Sequence, residues 1–216
     1  MTDKGNGQVV RARIAVSIDG FSAGPNQGAE NPLGDGGERL HDWALETESW
    51  RREHGREGGE DNIDSEVIDE IQQGIGAVIM GRNMFSPGRG EWDPEWKGWW
   101  GEEPPFHVPV FVLTHHPREA FEMAGGTTFT FVTDGIESAL EQARAAAGDD
   151  DVLIAGGAET IQQYLAADLA DELFLHVVPV LLGDGDRLLE NVGDLRLQQT
   201  EVVGTPAVTH IRYAVG

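Results

Sequence analysis

Apolar and polar positions follow two alternating rhythms along this chain. VVRARIAVS, residues 9–17, reads as a first strand, a short apolar-rich run bounded by polar and glycine-rich sequence. RLHDWALETESWRRE, residues 39–53, has helical spacing, and HGREGGED after it is a flexible link. Asp64 is read as the cap of a short helix through residue 73. AVIMG, residues 77–81, is the continuous apolar run of a strand buried on both faces. PVFVLT (109–114) and TFTFVT (128–133) are two more strands, and residues 135–147 form an amphipathic helix. In DVLIAGGAETIQQYLAADLADELFL, residues 151–175, an apolar strand runs into Gly156 and Gly157 and a helix starts at once. A strand is expected to extend to about residue 182, then the turn GDGD, then final strands near 195–203 and 207–215. Strands alternating with helices imply an α/β fold whose mostly parallel sheet is covered on both faces, and the helix-free tail adds antiparallel strands at one edge. No internal repeat or linker breaks the pattern, so residues 1–216 are read as one domain.

Composition narrows the class. With 39% hydrophobic and 25% charged residues, the chain has the balance of a soluble globular domain. Its net charge is −23, from 38 acidic against 15 basic residues, and its lysines are Lys4 and Lys97 alone. Such a chain repels nucleic acid and anionic membranes, so neither is expected as a partner. Cysteine is absent, which excludes disulfides, thiolate nucleophiles and Cys-ligated zinc. No apolar run approaches the roughly 18 residues of a membrane span, and the first residues lack a signal-peptide core. A cytoplasmic location is expected.

Candidate chemistry lies at two strand–glycine–helix edges. One is Gly156-Gly157; the other is Gly81 in VIMGRNMF, with Arg82 beside it. AGGAET is neither G-x-G-x-x-G nor a Walker loop. Two such edges, one carrying a cation, suit the two ends of a dinucleotide pyrophosphate. The Gly-, Asn- and Pro-rich residues 17–38 are too long for a plain connector and are read as functional. Residues 88–106 hold Trp92, Trp96, Trp99 and Trp100, with Arg89 and Lys97 as their cations. Packing on the sheet rim and an indole-lined lid over a planar heterocycle are both open. DGDRLLEN has Leu188 at what would be a calcium-ligand position, and His115-His116 lacks a third ligand, so no metal is expected.

AVIMGRNMF, the stretch VLIAGGAETIQQYLAADLADELFLHVVPVLLGDG, and VSIDGFSAGP near the N-terminus together resemble the dihydrofolate reductase superfamily. Within it they are similar to the riboflavin-biosynthesis branch, the C-terminal reductase domain of the bifunctional deaminase-reductase. The resemblance runs from residue 10 to residue 213, with no counterpart of the zinc deaminase half. It implies a three-layer αβα dihydrofolate-reductase-like fold, NADPH as cofactor and a homodimer. It also implies reduction of a small pyrimidine- or pterin-like heterocycle, as by 5-amino-6-(5-phosphoribosylamino)uracil reductase. True dihydrofolate reduction and a non-catalytic dinucleotide-binding dimeric module stay open. The scarcity of cations in residues 88–106 departs from what a ribosyl phosphate requires.

Residue by residue, the resemblance matches Ala23 and Gly24 to a mobile loop closing over the nicotinamide. It matches Gly81, Arg82 and Asn83 to the helix start that grips the pyrophosphate and adenosine 2′-phosphate, and Thr114 and His115 to positions flanking the adenosine. Gly156, Gly157, Ala158, Glu159 and Thr160 match the second phosphate-binding helix start, where the family carries a cis bond between the paired glycines. Arg82, with His115 or Arg118, would supply the cation that a 2′-phosphate requires. Glu159 departs from the basic residue that folate enzymes can carry there. For catalysis, the folate carboxylate register falls at Ser65, between Asp64 and Glu66, which leaves Asp64 as helix cap or proton source. Asp19 is either a turn aspartate or catalytic. His176 stands where the folate enzymes place a substrate-facing threonine, and is either a core residue or part of the site.

Overall fold

The computed structural model describes residues 7–86 and 90–216. Its strands are β1 (Val10–Ser17), β2 (Phe21–Ala23), β3 (Ile75–Gly81), β4 (Pro109–Leu113), β5 (Phe121–Glu122), β6 (Thr128–Val132), β7 (Asp151–Gly156), β8 (Glu172–Val178), β9 (Asp186–Arg187), β10 (Leu197–Gly204) and β11 (Thr209–Val215). Its α-helices are α1 (Asp42–Leu45), α2 (Glu48–Glu53), α3 (Ile63–Gln72), α4 (Arg82–Phe85), α5 (Ile136–Ala147) and α6 (Ala158–Ala166). The main sheet runs β10-β11-β8-β1-β7-β3-β4-β6-β5, parallel from β8 to β6 and antiparallel at both margins. The sheet is thus mostly parallel with antiparallel C-terminal strands, and β5 adds a two-residue antiparallel margin at the other side.

Three layers follow from which face each side chain takes. One face of the sheet packs Val10, Ala12, Ala77, Ile79, Val152 and Ile154 against Ala139, Ala143, Ile161 and Tyr164 of α5 and α6. The other face is covered in two parts. Over β1, β8 and β11 lie Leu40, Trp43, Ala44 and Ile68, with Val67 and Ile71 beside Phe174. Over β3, β4 and β6 lies an aromatic cluster of Phe85, Trp92, Trp96, Trp100 and Phe106. β3, β4 and, past Asp151, β7 are apolar without alternation because both of their faces are covered.

The structure departs from the sequence pattern where short-range signals compete. Residues 39–53 form two short helices, because Thr47 takes an extended conformation and its Oγ1 accepts from the Trp50 amide at 3.2 Å, starting α2 afresh. Asn62, not Asp64, caps α3, its Oδ1 accepting from Ser65 N at 3.0 Å. β8 stops at Val178, just before Pro179. Residues 17–38 hold β2 and run into a 3₁₀ turn, Gly37–Leu40, and β2 pairs with β9. That loop is tied to itself: the Asn26 and Asn31 amides donate to the Asp35 carboxylate at 2.7 and 2.9 Å. Gly24 is required there, since a Cβ on it would overlap the Asp35 backbone.

Candidate functional site

The two glycine edges meet. β3 and β7 are neighbouring parallel strands, with Met80 opposite Gly156 at their C-terminal ends. A Cβ on Gly81 would overlap Thr160 Oγ1 and lie 3.7 Å from Gly157 N. The Gly156–Gly157 bond is cis, as the resemblance implied. Among the described residues no side chain caps the nine-residue helix α6, and none stands within 4 Å of the place where a Gly157 Cβ would project. A helix start with unpaired amides and open space before it fits a phosphate. Around it, Ala158 and Thr160 are buried while Glu159 and Asn83 are exposed. Thr114 is buried at the end of β4, its Oγ1 accepting from His116 N at 3.1 Å, and His115 is exposed beside it.

The neighbouring cations are less available than their sequence positions suggest. Arg82 lies over the Trp92 ring at 3.9 Å from its centroid. Arg118 donates to the carbonyls of Trp96 and Pro94 at 2.7 and 3.2 Å and lies within 4.8 Å of the Phe121 ring centroid, so it holds the aromatic cluster together. Trp92 donates to His116 O and Trp96 to Phe85 O, at 2.7 and 2.8 Å, and Trp100 packs on Phe106 and Phe129. The described part of 88–106 is therefore built as packing on the sheet. Arg89 lies outside the described residues.

Ala23, in β2, is opposite Asp186 of β9, and Gly24 follows it in the tightly bonded loop. Asp19 accepts from Leu182 N and Gly183 N at 3.2 and 2.7 Å, joining the loop after β1 to the loop after β8. The Ser17 hydroxyl and those amides hold its carboxyl down at about 2, so it stays ionised at neutral pH.

On the sheet face under α1 to α3, Ala15, His176 and His210 lie in one row across β1, β8 and β11, next to a row of Arg13, Phe174 and Arg212. His176 Nδ1 is 2.7 Å from His210 Nδ1, and His210 Nε2 is 2.9 Å from Asp64 Oδ1. Thr205 Oγ1 sits 3.2 Å from Asp64 Oδ2, and the Trp43 ring lies against both imidazoles, centroids 4.9 and 5.0 Å away. Asp64, a residue 6% exposed, is thus no helix cap: its carboxylate joins a buried chain to His176. Burial, then His210, Arg13 and His41, keep the His176 pKa well below the ordinary range, so that ring is neutral.

His210, Arg13 and Glu53 went unread in the sequence. Arg13 is half-buried on β1 and makes no hydrogen bond or ion pair among the described residues; burial lowers its pKa and the nearby Glu53 carboxylate opposes this. Glu53, at the end of α2, is pushed up by burial, against Arg13 and the Gln72 amide 3.4 Å from its Oε2. The alternation R-A-R-I-A in β1 carried a signal for Arg13, but it reads equally as a solvent-facing stripe.

Residues 8–211 match the family model described as RibD C-terminal domain. The uncharacterized protein YwjB of Bacillus subtilis (strain 168) is 33% identical over 152 residues, 65% of this chain and 75% of that one. A protein assigned to riboflavin biosynthesis in Shewanella sp. PV-4 superposes with a TM-score of 0.63 at 21% identity, covering 97% of this chain and 99% of that one. Dihydrofolate reductase from Enterococcus faecalis, solved with NADP(H) and RAB-propyl, superposes at 0.55 with 13% identity, over 96% of each chain. At these identities the structural likenesses establish the dihydrofolate-reductase-like fold.

Proposed function

The chain belongs to the RibD C-terminal domain family, and from that premise we propose that it is an NADPH-dependent reductase of a small heterocyclic substrate. Family membership supports a reductase-like role, and the observation that carries the cofactor reading is the meeting of Gly81 with Gly157 and Thr160. In this reading Gly156, Gly157 and the first turn of α6 hold the pyrophosphate, Thr114 and His115 flank the adenosine, and Arg82 with His115 faces the 2′-phosphate. The cofactor, when bound, supplies a hydride. The Enterococcus faecalis enzyme, solved with NADP(H), lends support at the level of fold.

The chain's own part is to hold the substrate beside the cofactor and to deliver a proton. In this reading Arg13 and His176, which share one face of the β1–β8 pair with Ala15, line the substrate side. Among the acids considered, Glu53 suits proton donation, because burial raises its pKa, whereas Asp19 is held ionised. Reduction of a folate would call for an accessible carboxylate at Asp64 or Glu66; Asp64 is bonded to His210 and Glu66 is exposed, so a smaller heterocycle is the better fit. We take the working form as a homodimer, supported by the long, largely exposed edge strand β10, and sedimentation of the purified chain checks it.

The experiment for the cofactor is calorimetry with NADPH and NADH on the native chain and on Arg82→Ala. We expect NADPH to bind the native chain more tightly, and Arg82→Ala to lose about tenfold of that preference, roughly 1.4 kcal/mol. Equal affinities in the native chain would remove the 2′-phosphate assignment. Oxidation of NADPH over a panel of pyrimidines and pterins then separates an enzyme from a binding module.

A further inference from the structure

Arg13 and His176 are diagonal neighbours on one face of the β1–β8 pair, with Ala15 the small residue opposite His176. Arg13 brings guanidinium donors that no described residue accepts from. Among the described residues His176 has a single hydrogen bond, through Nδ1 to His210, and in an imidazole the other nitrogen points away from that partner. β8 lies between β11, which carries His210, and β1, whose Arg13 is near enough to influence the charge of His176.

What that second nitrogen offers depends on where the proton sits, and the hydrogen-bond chain decides this. Asp64 as a carboxylate only accepts, so His210 must present N–H at Nε2. A neutral His210 then has a bare Nδ1, and the 2.7 Å contact requires His176 to donate from its own Nδ1. A second proton on His210 would pair with Asp64 but would also place a cation on the same buried sheet face as the guanidinium of Arg13. The groups facing the pair are Asp64 from α3, Arg13 from β1, His41 at the start of α1 and, through Arg13, Glu53 from α2.

We propose that Asp64, acting through His210, fixes His176 with its proton on Nδ1, so that His176 Nε2 accepts and Arg13 donates, side by side, to the lactam edge of a substrate heterocycle. The substrate's ring N–H goes to His176 and its neighbouring C=O to Arg13. An oxygen or nitrogen acceptor placed at His176, or an N-alkylated ring, is rejected, because Nε2 would face a lone pair or a methyl group. Asp64 and His210 are positioning residues; His176 and Arg13 touch the substrate. The recognition half rests on the reductase reading of the site, and the tautomer half stands on the chain of hydrogen bonds alone.

The test is long-range proton–nitrogen NMR at pH 8 on the full chain with ¹⁵N-labelled histidine. His176 should be protonated on Nδ1 only and His210 on Nε2 only. A proton on His176 Nε2, or two protons on His210, overturns the proposal. In Asp64→Asn the His176 signal should become a mixture of tautomers, and His210→Gln carries the same expectation if the first variant does not fold. An unaltered tautomer in a folded variant overturns the positioning role. Adding 2-pyridone should move the His176 Nε2 resonance, while N-methyl-2-pyridone should not; equal responses, or none, overturn lactam recognition. Arg13→Gln should weaken 2-pyridone at least tenfold, and unchanged affinity removes Arg13 from the site. NADPH titration of the same samples keeps the two readings apart: tight NADPH binding with no pyridone response sinks the recognition alone, and absent NADPH binding sinks the reductase reading whatever the histidines show.

Discussion

Glu53 is where a single side chain's surroundings make a kinetic statement. Its carboxyl is pushed up by burial at the end of α2, and Arg13 acts against the shift without abolishing it. If this carboxyl gives the proton that follows hydride transfer, the protonated form is the active one. The rate then falls as pH rises through its raised pKa, the opposite sign to a general base. Glu53→Gln should lower kcat by about tenfold to a hundredfold, within the usual span of a positioned acid, and flatten that alkaline limb. NADPH affinity should hold, since the cofactor edge lies at Gly81 and Gly157. An alkaline limb that persists in Glu53→Gln assigns the proton to another group. Asp19 illustrates the contrary case. Its sequence context left it open as turn or catalytic residue, and its carboxylate is bonded to the amides of Leu182 and Gly183.

At the scale of elements, the main strands and the helices α5 and α6 were legible because each carries one unambiguous period. β3 and, past Asp151, β7 are apolar, as strands covered on both faces must be, and α5 and α6 each present one apolar stripe to the sheet. What was not legible has definite causes. β2, β5 and β9 are two or three residues long, too short for any periodicity to register. Asn62 and Asp64 are both good capping residues two positions apart, and the choice between them is made by His210, 146 residues along the chain. Arg13 could not be told from a surface arginine until α1 to α3 were laid over its strand. The tryptophan-rich segment posed a choice between lid and packing, which Trp100, set against Phe106 and Phe129, decides for packing. Trp100→Ala should therefore cost about 2–4 kcal/mol in denaturant unfolding, toward the lower part of what core aromatic truncations cost because the ring is only half-buried. NADPH affinity should stay within about twofold, a difference of some 0.4 kcal/mol. Collapse of binding with stability intact would restore the lid.

For the whole molecule the governing quantity is a net charge of −23 on a chain proposed to bind an anionic cofactor. Two electrostatic effects compete, and their ranges differ. Arg82 and the α6 amides act at contact distance, where salt screens little. The 38 acidic residues act from all over the surface, Glu159 among them in the first turn of α6 itself. At about 0.01 M salt the screening length is roughly 30 Å, so nearly the whole surface repels the incoming phosphates; at about 0.1 M it is roughly 10 Å, and only the local groups are felt. Added salt removes the repulsion first. NADPH affinity should therefore rise between about 0.01 and 0.1 M sodium chloride, against the usual fall for phosphate ligands on basic sites. The melting temperature should rise over the same interval, because the folded chain concentrates the same charge that the unfolded chain disperses. The two effects part in Glu159→Gln, which should tighten NADPH at low salt while leaving the salt dependence of melting nearly unchanged. Calorimetry and thermal melts across that salt range check both. An affinity that falls steadily from the lowest salt onward would mean that a local basic site outweighs the surface, contrary to the geometry of Arg82 on Trp92 and Arg118 on the Trp96 and Pro94 carbonyls.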